Sequence, residues 1–461
     1  MFLLLLGLVS PAGRAAQPNI VLLFADDLGY GDLGCQGHPN IRTPHLDRMA
    51  AEGIRLTSFY SGIVCSPSRA ALLTGRYPVR TGVFRVIGPD DKLGLPASEI
   101  TLAEALKARG YWTWAIGKWH LGHHDPAFFP TACGFDGYLG LLYSNDMIPP
   151  WVETQRPLRL YRNTDPVDGP VDQATLTGAY TDEAVRFIRD AKAGPFLLYL
   201  AYTFPHVPLA AARPADPNAH HPPAADPQAA GGSSPRGLYG DVVEAIDASA
   251  GRILDALKQE GLDGNTLVVF TSDNGPWIDL PPRMLRGSGG VKPWDVGSAG
   301  LLRGWKGNTY EGGPRVPFIA RWTGKIPPGR VSSGIAASMD LYTTILNLAG
   351  ASVPADRPVD GIDLLDFLEG KAASPRREFL YFRGRELEAV REGKWKLRFT
   401  THLRQEVPEW RPPDAELFDL ETDPSERYNL VGTHPELVAR FLKMMRERAR
   451  DLGADWAGET P

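Results

Sequence analysis

The chain has 461 residues, 43% hydrophobic and 22% charged, which is enough for a large core and a second, smaller unit. A formal net charge of −5 excludes the broad basic field of a nucleic-acid binder, so a polyanionic substrate must be drawn by a local positive pocket. Three cysteines, Cys35, Cys65 and Cys133, exclude a disulfide framework.

Phe2 to Val9 is a short apolar run followed by Pro11, Gly13, Ala15 and Ala16. It reads as a secretory signal, residues 1–17, cleaved near Ala16, although no Lys or Arg precedes the run. The run is too short to span a bilayer, and no later stretch is expected to span one. Asn19 to Ala25 is a continuous apolar run of strand length, suited to a strand buried on both faces. It ends in Asp26-Asp27, two adjacent carboxylates that repel unless a cation sits with them. A solvated turn through Leu28-Gly29-Tyr30-Gly31 is the alternative. Pro44 to Ala50 forms a short helix, and Ile54 to Tyr60 alternates as a strand leading into the Cys65 loop.

Cys65-Ser66-Pro67-Ser68-Arg69 places a nucleophile at the start of a helix. Ser66 and Ser68 are cap-type residues, Pro67 suits the first helical position, and Gly75 stops the helix. Its free N–H groups and dipole then point at whatever Cys65 touches, and Arg69 returns one turn later. A lone cysteine is more commonly a buried structural thiol. A thiolate lowered in pKa by the helix and Arg69 is a third reading.

Leu102 to Arg109 is a helix ending at Gly110, and Tyr111 to Ile116 a strand running into Gly117-Lys118-Trp119-His120. Open α/β sheets bind ligands at such carboxyl ends, and in extended conformation Lys118 and His120 share a face. Tyr143-Ser144-Asn145-Asp146 follows, then a loop-like stretch from Trp151 to Val171 and a helix from Thr181 to Ala191. The strand Phe196 to Ala201 leads to His206 between prolines. Ala210 to Gly237, with His220 and His221, is an irregular insert and not a metal site. Asp241 to Glu260 is a long amphipathic helix.

Thr266 to Ser272 is a second buried strand with an acidic end, Asp273-Asn274-Gly275. Asp26, Asp27, Asp273 and Asn274 make an all-oxygen set, and with no Cys or His near it such a set selects Ca²⁺ or Mg²⁺ over zinc. Gly304 to Gly313 surrounds Lys306 with glycines that let backbone approach an anion. Pro317 to Trp322 is a strand and Met339 to Ala349 a helix. Beyond Gly370 to Ser374 the pattern changes to short strands at 378–382, 387–392, 394–400 and 415–420, then a helix from Pro435 to Leu452. Residues 18–372 are expected to form the catalytic domain and 373–461 a C-terminal α+β subdomain.

Cys65-x-Pro67-x-Arg69 with Thr74-Gly75-Arg76, Gly117-Lys118-Trp119-His120, His206 between its prolines and the Lys306 segment together resemble the type I sulfatases. The likeness is to the arylsulfatase A and N-acetylgalactosamine-6-sulfatase branch and runs from about Asn19 to the end. It implies an alkaline phosphatase-like α/β fold: a large mixed sheet between helices, with the smaller C-terminal domain. It also implies sulfate ester hydrolysis, aryl or carbohydrate, with Cys65 oxidised by a formylglycine-generating maturation enzyme. The hydrated aldehyde is then the nucleophile, and residue 65 joins Asp26, Asp27, Asp273 and Asn274 around a divalent cation, usually calcium. By the same resemblance Arg69, Lys118 and Lys306 hold the sulfate with Ser144, His120 assists its release, and His206 or Lys306 protonates the leaving oxygen. The chain carries no Asn-x-Ser/Thr sequon. Lysosomal members are typically glycosylated, so a secreted or periplasmic bacterial setting is expected. The alternatives are a formylglycine-dependent phosphonate or phosphodiester hydrolase, and a non-catalytic calcium or polyanion binder should Cys65 stay a thiol. Gly275 to Trp305 must border the site, so Trp277, Trp294 and Trp305 form a candidate platform for a sugar face.

Overall fold

The structure, a computed structural model, describes residues 17–211, 234–285, 291–399 and 415–456. The expected signal up to Ala16, and His220 and His221 of the insert, lie outside the described residues. Among the described residues the large sheet has ten strands. Across it run Arg330–Ser332, Ile54–Leu56, Phe318–Arg321, Thr266–Ser272, Asn19–Ala25, Phe196–Ala201, Trp112–Gly117, Gly137–Leu141, Leu160–Arg162 and Asp165–Pro166. The five strands from Thr266–Ser272 to Gly137–Leu141 are mutually parallel, while Phe318–Arg321 and Leu160–Arg162 run against their neighbours.

Alternation puts Ile20, Leu22 and Phe24 on one face and Val21, Leu23 and Ala25 on the other, and both faces are covered. The first face packs the Cys65–Thr74 and Ser338–Ala349 helices through Leu72, Leu73, Tyr342 and Ile345. The second packs Leu176–Ala191 and Gly237–Gln259 through Tyr180, Ile188, Val243 and Ile253. Burying each such aliphatic or aromatic side chain contributes about 1.5–3 kcal/mol, which anchors the central strands between the two helical layers.

The register decides what the sheet presents. Ala25 stands level with Ser272, Phe24 with Ala201, and Gly117 with Ala201. Four neighbouring strands therefore end at the same edge and release Asp273, Asp26, Tyr202 and Lys118 side by side.

C-terminal to this body, Glu378–Arg383, Glu386–Glu392, Trp395–Phe399 and Ala415–Asp419 form an antiparallel sheet, with Asp455–Trp456 added parallel to the second strand. The helix Pro435–Leu452 packs on it through Phe441 and Met445.

Several expectations are corrected. The single strand expected from Ile54 to Tyr60 is two: Ile54–Leu56 stays in the large sheet, while Phe59–Tyr60 leaves to pair with Ala336–Ala337. Tyr60 thereby reaches the C-terminal core and stacks on Phe379 at 4.6 Å. The loop expected from Trp151 to Val171 contains the edge hairpin Leu160–Arg162 and Asp165–Pro166. Gly137–Leu141 was not foreseen. A Cβ at Gly140 would lie 1.9 Å from the Gly117 carbonyl oxygen, so its glycine is a close-approach requirement of the sheet and not a loop marker.

Candidate active site

Cys65 opens its helix, two residues before the start expected at Pro67, with Val64 as the capping residue. Ser66 and Ser68 do not cap. The Ser68 hydroxyl donates back to the Val64 carbonyl at 2.7 Å, and the Ser66 hydroxyl accepts from Ile87 N at 3.2 Å. Gly75 ends the helix in the left-handed region at φ 70°, as expected. Every residue of the helix is buried, and Cys65 is 2% exposed.

The strand ends converge on this helix start. Asp26, Asp27, Cys65 and His206 each offer one donor atom, and these atoms lie within 4.8 Å of one another. Asp273 accepts from Asp27 N at 3.1 Å, and Asn274 Nδ2 donates to Asp27 Oδ1 at 2.7 Å. The expectation of an oxygen set with no Cys or His near it is corrected, because His206 follows the strand next to Asn19–Ala25 and so stands beside Asp27, 3.7 Å away.

Cations hold the carboxylates in place. Lys118 Nζ bonds Asp26 and also donates to the Ser144 hydroxyl at 3.1 Å. Lys306 Nζ lies 2.8 Å from Asp27 Oδ1. Arg69 donates to Asp273 Oδ2 and to the Lys118 carbonyl oxygen, each at 2.8 Å. Burial pushes the Asp26 carboxyl up, but Lys118, His206 and Arg69 outweigh it and hold that carboxyl well below the usual range. Burial, with Asp26 beside it, pushes Asp273 to about 7.

The two histidines are fixed by backbone carbonyls. His120 sits at φ 58°, so the extended geometry expected between Lys118 and His120 is not kept. Its Nε2 donates to Ile87 O at 2.9 Å, which leaves Nδ1 as a buried lone pair with no partner among the described residues. His206 Nδ1 donates to Val207 O at 2.6 Å and turns Nε2 toward Asp27. Sequence reasoning did not separate Trp277 from the other tryptophans of its loop. Its ring stands 5.4 Å from the His206 ring and 4.5 Å below Lys306 Nζ. Trp294, by contrast, is 62% exposed under Lys292.

A family model described as Sulfatase matches residues 18–351. The chain belongs to the sulfatase family. A second model, described as N-sulphoglucosamine sulphohydrolase, C-terminal, matches residues 304–453. Human arylsulfatase A is 41% identical over 96% of this chain and 89% of its own. Dog N-acetylgalactosamine-6-sulfatase is 42% identical over 96% and 82%. Among solved structures, Ps i-CgsB in complex with k-i-k-neocarrahexaose superposes with a TM-score of 0.77 at 30% identity, covering 96% of this chain and 95% of that one.

As a sulfatase the chain is a sulfuric ester hydrolase with the alkaline phosphatase-like fold, and the family implies a metal ion and a formylglycine. The residues present fit both groups. Asp26 Oδ1 and Asn274 Oδ1 are buried without a hydrogen-bond partner among the described residues, as oxygens that await a cation would be. Burial pushes the Cys65 thiol up to about 12, which suits a residue that acts after oxidation and not as a thiolate. Among the described residues no helix is long and apolar enough to cross a membrane.

Proposed function

We propose that this sulfatase removes sulfate from a carbohydrate ester, with residue 65 as formylglycine and Ca²⁺ held by Asp26, Asp27, Asp273, Asn274 and residue 65. The observation that carries the reading is the convergence of the acidic strand ends on the first turn of the Cys65 helix, with Lys118 and Lys306 on their carboxylates. When bound, the two groups supply a regenerable hydroxyl nucleophile and the charge that favours its ionised form.

The chain's own side chains do the rest. Lys118 and Lys306, tied to Asp26 and Asp27, are pre-aimed ammonium groups that take sulfate oxygens without reorganising. Ser144, already bonded to Lys118, adds a hydroxyl to that grip. Arg69 holds Asp273 and the Lys118 backbone, and so supports the grip from beneath with its positive charge. The free Nδ1 lone pair of His120 takes the proton whose loss releases sulfate. Lys306, or His206 once its Nε2 beside Asp27 has taken up a proton, gives the leaving oxygen its proton. Trp277 beside both offers a flat apolar face to the leaving sugar.

We assign residues 18–372 to the catalytic domain and 373–461 to the C-terminal subdomain. A formylglycine-generating enzyme is the expected partner in maturation, and a secreted or periplasmic location goes with the apolar N-terminal run. The test compares purified enzyme on the sulfate and phosphate esters of one phenol. The sulfate ester should be turned over faster; preference for the phosphate ester overturns the reading.

A further inference from the structure

Asp146 is a buried titratable group beside the site that the roles above do not use. It follows the strand Gly137–Leu141, the next parallel strand beyond Trp112–Gly117, and is 4% exposed. Ser144, two residues before it, accepts from Lys118 Nζ at 3.1 Å. Asp146 thus stands beside the Ser144–Lys118 contact, and both Lys118 and Lys306 act on it electrostatically. Burial pushes its carboxyl above the usual range. Its Oδ1 has no hydrogen-bond partner among the described residues.

A buried acceptor without a donor is costly and wants one. The neighbouring donors turn elsewhere: Lys118 to Asp26 and Ser144, Lys306 to Asp27, with their remaining N–H groups left for the sulfate oxygens, and the Asn145 amide to Gln173 Oε1 and Pro208 O. The sulfate group brings only acceptor oxygens and negative charge. A donor must therefore come from the neutral part of the ester. A sugar has one beside the esterified carbon, a hydroxyl or an amide N–H, whereas a simple aryl sulfate has none.

We propose that Asp146 is a specificity-determining residue, whose unpaired carboxyl oxygen accepts a hydrogen bond from a hydroxyl or amide N–H next to the sulfate ester on the leaving sugar. The proposal rests on the carbohydrate reading above. It makes Asp146 the polar counterpart of Trp277: one reads the donor beside the ester, the other the apolar face of the ring. A site built to pair with a substrate hydroxyl discriminates strongly against the analogue that lacks it, because the acceptor is then left bare.

The test uses the matured full chain and three substrates: a sulfated monosaccharide with a free hydroxyl beside the ester, the same compound with that hydroxyl replaced by hydrogen, and a nitrophenyl sulfate. The wild-type enzyme should prefer the first over the deoxy compound by about tenfold or more in kcat/KM, the scale of a hydrogen bond to a charged acceptor. Asp146→Ala should collapse that ratio toward one, while Asp146→Asn, which keeps an acceptor oxygen, should retain part of it. Should the alanine variant not fold, the wild-type ratio and the asparagine variant decide. A wild-type ratio near one, or equal losses on all three substrates, overturns the role of Asp146 and leaves the carbohydrate reading standing. Turnover of the nitrophenyl ester with none of either saccharide overturns the carbohydrate reading, and this proposal with it.

Discussion

Arg69 and Asp273 meet at 2.8 Å, and neither side chain has any solvent exposure. The pair joins the Cys65 helix to the end of the strand Thr266–Ser272, and through the Lys118 carbonyl it also ties in the end of Trp112–Gly117. Removing one partner leaves the other charge buried, which costs about 3–5 kcal/mol. Arg69→Ala should therefore lower the unfolding free energy in a denaturant titration by about that amount, besides reducing turnover. A loss under about 1 kcal/mol, the scale of an exposed pair, would mean that the floor of the site does not depend on this pair.

Asn274 tests the cation without adding or removing a charge. Its Oδ1 is buried with no hydrogen-bond partner among the described residues, while its Nδ2 holds Asp27. Chelation of the wild type should lower turnover and melting temperature together, and added calcium should restore both. Asn274→Ala should raise the calcium concentration needed for half-maximal activity by about tenfold or more, as loss of even an outer partner of a metal ligand does. Full activity after exhaustive chelation would show that these strand ends share no ion.

Trp277 is the one tryptophan of its loop described against His206 and Lys306. Trp277→Ala should cost a sulfated saccharide much more kcat/KM than a nitrophenyl sulfate, since only the sugar covers the ring. Trp294→Ala should change the two substrates alike, because Trp294 stands out in solvent. Equal losses on both substrates for Trp277→Ala would remove the aromatic platform.

The core strands, the Cys65 helix and the acidic strand ends were legible in the sequence because each is written locally. Asn19–Ala25, Phe196–Ala201 and Thr266–Ser272 have apolar interiors and are buried throughout, and each runs into polar residues. Pairings between distant segments were not legible. His206 reaches Asp27 only because Phe196–Ala201 and Asn19–Ala25 are neighbours in the sheet, which no local pattern states. Gly137–Leu141 was not foreseen, because the lack of a side chain at Gly140 that lets it lie against Gly117 has no apolar signature. The spacing of Arg69 from Cys65 could not reveal that Asp273 and the Lys118 carbonyl accept hydrogen bonds from its guanidinium.

His120 gives the fold a dependence on pH. Burial, helped by Lys118 and Arg69, holds its pKa well below the ordinary 6.5, so the folded state keeps the ring neutral. The unfolded chain takes up a proton as pH falls through about 6.5, and stability is lost in that direction. The melting temperature should fall between pH 7.5 and 5.5, and His120→Gln should reduce that fall. An identical pH slope in the variant would assign the loss to other groups.

The account stands on the chemical identity of residue 65 in active enzyme. Mass spectrometry of the peptide containing it, from protein that turns over a sulfate ester, should show a species about 18 Da lighter than the cysteine form, the change expected for oxidation of the side chain to an aldehyde. The lighter fraction should rise and fall with specific activity across preparations. Full activity in protein whose peptide carries only the intact Cys65 thiol would contradict the account.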